Sequence, residues 1–186
     1  MSNLRTRDIV QQLIERRVDF GLLRSDALED PLQCIPVCEQ RYAIFVPKRL
    51  VPSRGLMTIK NALFECPHAA LGGDGQLIER LKELTRKLGG EFTPELVCDS
   101  IGQCVSAVET GAFAAILPVQ AWVASSEKDY IVVEDESLKI LSRQIVLAWH
   151  PRTIEILGPA ALKARDALTN ALKEKIPKTE VEYEEM

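Results

Sequence analysis

Apolar positions along the chain follow two rhythms. The first is the i, i+3, i+4, i+7 spacing of a buried helix face. Ile101, Cys104, Val105 and Val108 keep it, and Leu77, Ile78, Leu81, Leu84 and Leu88 likewise face one way on a helix, with Glu79, Arg80, Lys82, Glu83 and Lys87 turned outward. The second is the short apolar run of a buried strand. Such runs occupy 18–23, 42–46, 69–71, 96–98, 113–117 and 130–133, and 141–149 alternates into another. Thr6 or Asp8 caps a first helix with Ile9, Val10, Leu13 and Ile14 on its apolar face. Residues 58–65 predict a short helical piece, 119–126 a helix with Trp122 on its buried side, and Gly158-Pro159 starts a last helix. Residues 27–34 read as a loop punctuated by Pro31 and Pro36, 134–139 as a polar connection, and 177–186 as a frayed acidic tail.

One stretch, Pro94 to Pro118, reads as strand, helix and strand with almost no connecting residues. Asp99 and Ser100 are N-cap residue types, and Gly111 stops the helix as glycine does at C′. The helix begins just past a strand's carboxyl end, the edge where open α/β sheets hold ligands. Strands and helices alternate along the whole chain, which predicts an α/β protein with mainly parallel sheets.

Composition narrows the function classes. Of 186 residues, 46% are apolar and 27% charged, with a net charge of −4, so no strongly basic nucleic-acid surface is expected. No run approaches the ~20 apolar residues of a membrane helix, and residues 1–10 do not read as a signal peptide. A cytoplasmic protein is expected. The cysteines, Cys34, Cys38, Cys66, Cys98 and Cys104, are odd in number, which disfavours a disulfide framework. Cys34 and Cys38 have no second pair or nearby histidine for zinc, and Cys98 and Cys104 read as small buried hydrophobes. His68 and His150 have no nucleophile or acidic partner at a recognisable spacing. No metal, cofactor or catalytic residue is expected.

Several segments recur in a familiar order: VDFGLLR at 18–24, YAIFVP at 42–47, the turn ALGGDGQ, SIGQCVSAVETG followed by FAAILP, and RQIVLAWHPR at 143–152. Together they resemble the effector-binding region of a LysR-type transcriptional regulator. The resemblance implies a type 2 periplasmic-binding-protein-like fold of two α/β lobes, with an effector cleft between them. Lobe I would comprise 1–45 and 140–176, and lobe II 46–139. The strand at 42–46 and the stretch near 134–140 would be the hinge crossings. It also implies an N-terminal truncation: lobe I is incomplete, and the DNA-binding domain is absent from these residues.

The resemblance brings three segments to the cleft. The first is Arg24-Ser25, otherwise a solvated loop. The second is Gly73-Asp74-Gly75-Gln76, where free N–H groups at a helix start suit a carboxylate or phosphate. Its plainer account is a tight turn that needs glycine, and Asp74 would repel an anion unless it turns away to cap the helix. The third is Ser100, Ile101 and Gln103. Ser100 is an N-cap with or without a ligand, whereas Gln103 is not required by capping. Pro118 would line the cleft wall or simply stop a strand.

The expected function is therefore an effector-binding regulatory domain. It would sense a small anionic metabolite, such as a carboxylate, and pass the signal to a DNA-binding domain absent from this chain, within a homo-oligomer. The alternative is a constitutive oligomerisation module with no physiological ligand. An enzyme is the weakest reading, because no nucleophile–base pair, metal set or phosphate loop is visible.

Overall fold

The computed structural model describes residues 6–52, 56–73, 75–119 and 129–175. Asp74, the tail and nearly all of the helix expected over 119–126, Trp122 included, lie outside the described residues. The chain divides into two compact units, Met1–Gln40 with Arg143–Met186, and Arg41–Ser142.

The first unit holds α1 (Thr6–Ile14), β1 (Gly21–Arg24), β2 (Gln33–Gln40), β8 (Arg143–Trp149), α5 (Pro151–Leu157) and α6 (Pro159–Lys175). Its sheet has the order β1-β8-β2, antiparallel throughout. α1 packs on β1, and Val10, Leu13, Leu23, Leu32, Val146 and Ala148 form the core. Gly21 makes that contact possible: a Cβ there would lie 2.6 Å from Ile9 Cγ2. β2 occupies residues where a loop and a strand-breaking proline are expected. Pro36 is tolerated because β2 is an edge strand, and the register shifts between Pro36 and Cys38. α5 is likewise unforeseen. It has Pro151 at its first turn and His150 as N-cap, whose Nδ1 accepts the Arg152 N–H at 3.1 Å.

The second unit holds β3 (Tyr42–Pro47), α2 (Ile59–Phe64), β4 (His68–Leu71), α3 (Gly75–Leu88), β5 (Leu96–Cys98), α4 (Ile101–Glu109), β6 (Ala114–Pro118) and β7 (Tyr130–Val133). A 3-10 segment, Glu136–Leu141, replaces the expected plain connection and buries Leu138 and Leu141. The sheet order is β5-β4-β6-β3-β7. All six residues of β3 are buried. Their period-two alternation feeds two cores. Tyr42, Ile44 and Val46 join Ala62, Leu63, Leu77, Leu81 and Leu84 from α2 and α3. Ala43 and Phe45 join Cys104, Ala107 and Val108 from α4 on the other face.

The α/β class holds, but the sheets are mixed rather than mainly parallel. β4 pairs in parallel with β5 and β6, while β3 pairs antiparallel with β6 and β7. The reason is topological. The chain runs out along β2 and β3 and returns along β7 and β8, so the returning strands meet the outgoing ones head to tail. The unit built on 94–118 also differs from a simple βαβ pair, because β4 lies between β5 and β6.

Candidate functional site

The five-stranded sheet gathers three strand ends along one edge. β4 sets Leu71 opposite Cys98 of β5 and Ala69 opposite Ala115 of β6. The three parallel strands therefore finish side by side. Gly72 and Gly73 follow β4, Asp99 and Ser100 follow β5, and Pro118 closes β6. α3 and α4 both begin at this edge. The Gly72 N–H donates to the Cys98 carbonyl at 2.7 Å, tying one turn to the next strand. Gly73 has φ of 81°, a conformation glycine adopts without a Cβ penalty.

The start of α4 is held by a reciprocal cap. Ser100 is extended, and its hydroxyl accepts the Gln103 N–H at 3.3 Å. Gln103 Oε1 in turn accepts the Asp99 N–H at 2.8 Å. This corrects the expectation that capping leaves Gln103 unused. A glutamine three residues after a serine is the capping-box spacing, here reaching one residue further back. Gln103 is exposed, and among the described residues its Nε2 takes no hydrogen-bond partner. Ile101 and Gly102 place their N–H groups in the first turn, at the positive end of the helix dipole.

The structure thus sets Gly73, Gly75, Gln76, Ser100, Ile101, Gln103 and Pro118 along one edge. It adds Tyr42, which pairs with Pro118 in register, and the Arg41 carbonyl, which accepts the Val119 N–H at 2.9 Å. Sequence alone gave no signal for these two, since their place follows from the antiparallel pairing of β3 with β6. Arg24 and Ser25 belong to the first unit. Arg24 ends β1 with its Nε 3.5 Å from Asp26 Oδ1, and Ser25 opens an exposed 3-10 turn. Arg24 is the one basic residue among the candidates. On the second unit's edge, anion attraction comes from the helix starts, against the exposed carboxylate of Asp99.

Cys98 and Cys104 meet beneath the first turn of α4, both buried. Burial, then the contact with Cys98, pushes the Cys104 thiol well above its ordinary value, so it stays protonated at neutral pH. Among the described residues no group of three or more His, Cys, Asp or Glu could hold a metal ion, and no helix is long and apolar enough to cross a membrane.

Comparison with known families and structures agrees with this architecture. The family model described as LysR substrate binding domain matches residues 2–173. No curated protein matches the chain. Among solved structures, HinK, a LysR family transcriptional regulator from Pseudomonas aeruginosa, aligns with a TM-score of 0.67 at 18% identity, covering 95% of this chain and 60% of that one. The reduced regulatory domain of OxyR2 from Vibrio vulnificus aligns with a TM-score of 0.68 at 16% identity, covering 91% and 78%. The LysR family regulator CbnR aligns with a TM-score of 0.65 at 14% identity, covering 95% and 58%. At these identities the likeness is one of fold. The chain spans about 60% of the length of HinK.

Proposed function

The chain belongs to the LysR substrate binding domain family, and from that premise we propose that it binds a small anionic metabolite at the carboxyl edge of its five-stranded sheet, as the sensing part of a transcriptional regulator. The observation that carries this reading is the side-by-side ending of β4, β5 and β6, with two helices starting there. A carboxylate at that edge would accept from first-turn N–H groups of α4, with Gln103 Nε2 as a side-chain donor. In a longer regulator carrying a DNA-binding domain, the ligand acts by favouring one of two arrangements over the other. An assembly module without a ligand is the second reading. It draws on Ile156, Leu157, Leu162 and Leu168, large apolar side chains exposed on α5 and α6.

Calorimetry and thermal shift against a panel of aliphatic and aromatic carboxylates test the proposal. A ligand at a hundred times its Kd stabilises the folded chain by about 2.7 kcal/mol. Gln103→Glu keeps an oxygen for the Asp99 N–H but replaces the amide donor with a negative charge. It is expected to weaken binding at least about tenfold, roughly 1.4 kcal/mol, with the melting temperature of the free chain unchanged. Undiminished binding by Gln103→Glu overturns the placement. No binding by any carboxylate, with concentration-dependent self-association abolished by Leu162→Lys, supports the assembly reading instead.

A further inference from the structure

His68 opens β4 at the end opposite the candidate site and is 2% exposed. Its Nε2 lies 2.7 Å from the Ala62 carbonyl of α2, a contact that requires the proton on Nε2. The ring also meets Phe92 edge-on, with centroids 4.9 Å apart. Nδ1 is therefore a bare lone pair, sealed from solvent and without a hydrogen-bond partner among the described residues. The main chain of the same residue is clasped by Glu95. The His68 N–H donates to Glu95 Oε2 at 2.6 Å, and the Glu95 N–H returns to the His68 carbonyl at 3.0 Å.

We propose that His68 and Glu95 form an acid-responsive clasp, in which a proton taken from solvent onto His68 Nδ1 draws the Glu95 carboxylate off the main-chain N–H and onto the ring. The surroundings leave few other partners for that new N–H. Before β4, α2 and its following turn carry Lys60, Glu65 and Cys66; Cys66 is buried and its thiol is pushed up by burial and then by Glu65. The segment before β5 carries Glu91 and Glu95, and Glu95 is the charged group that acts on the imidazole. β6 faces His68 through Ala114 and brings no titratable side chain at that register.

Burial holds the imidazole below its ordinary value of 6.5, against smaller opposing effects of the Ala62 carbonyl and Glu95. The folded state thus binds the proton more weakly than the unfolded chain. Stability is full above the unfolded value and falls as pH drops below it, levelling only once the folded group itself is protonated. The clasp limits that loss by giving the imidazolium a carboxylate, while the first N–H of β4 loses its acceptor.

The test is an NMR titration of the chain, with the two histidines assigned by substitution. The expected result is a His68 ring midpoint below 6.5, followed in step by its own amide proton as Glu95 leaves it. Glu95→Gln preserves an acceptor for the amide. It is expected to lower the ring midpoint further, by roughly half a pH unit or more, about threefold weaker proton binding. His68→Gln should flatten the fall in melting temperature below pH 6.5. A His68 midpoint at or above the ordinary value overturns the proposal. So does a ring that titrates with its amide unmoved, or a midpoint indifferent to Glu95→Gln.

Discussion

The two units solve the same packing problem with different margins. The second wraps its sheet on both faces, so that β3 is buried along its whole length and serves two cores at once. The first holds fewer buried apolar side chains: one cluster of six under α1, with Val37, Leu147, Trp149 and Ala161 also buried, beside a four-residue edge strand and two later helices that leave three leucines and an isoleucine exposed. Local stability follows the density of buried apolar contacts. The difference teaches where this chain carries its rigidity: in the unit that also presents the candidate site, whose turns are exposed but anchored to a doubly covered sheet.

The sharpest way to break this contrast is Phe45→Ala. Phe45 is 2% exposed in the core shared with α4. Truncation of a buried phenylalanine costs about 3–5 kcal/mol. The loss should appear in chemical denaturation and as faster amide exchange in β3, β4 and β6, with β1 and β8 unchanged. If exchange in β1 and β8 accelerates in step, the two units share one cooperative transition and the comparison fails. Gly21→Ala probes the thinner unit. A Cβ 2.6 Å from Ile9 and 3.1 Å from Leu13 forces α1 away from β1. Overpacking of this kind costs about 1–3 kcal/mol. Protection should fall in β1 and β8 first, whereas an unchanged exchange pattern there means that α1 contributes little to that unit.

Most of these elements could be read from the chain because their burial is periodic. The leucines of α3 and the all-apolar β3 leave little choice of element or face. β2 was not legible, since proline at position 36 excludes a central strand and nothing local says the strand is an edge. α5 is only seven residues long, between His150 and Gly158, too short to show a clear apolar period, although proline after a capping residue also marks a helix start. The proportion of parallel pairing depends on where the chain leaves and re-enters each unit, a non-local fact. At the candidate site, Ser100 was legible as a cap. The side-chain oxygen of Gln103 was not, because its partner is the Asp99 N–H, outside the usual box. Tyr42 joins the edge only through a strand partner 76 positions away, at Pro118.

The smallest expected effect separates the two roles of Ser100. Its hydroxyl accepts the Gln103 N–H, but the side-chain Oε1 of Gln103 accepts the Asp99 N–H independently. Ser100→Ala therefore removes half of the cap, and the expected loss is about 1 kcal/mol. That is well below the Phe45 effect, because the start of α4 faces solvent while its far side is held by Cys104, Ala107 and Val108. Ser100→Asp restores an equally good cap and should return the stability lost in Ser100→Ala. The same carboxylate repels an anion at the helix start, so a metabolite that binds the unaltered chain should bind Ser100→Asp weakly or not at all. Stability restored with binding lost assigns Ser100 to both tasks. Stability restored with binding intact confines it to the cap, and the anion site must then lie away from the first turn of α4.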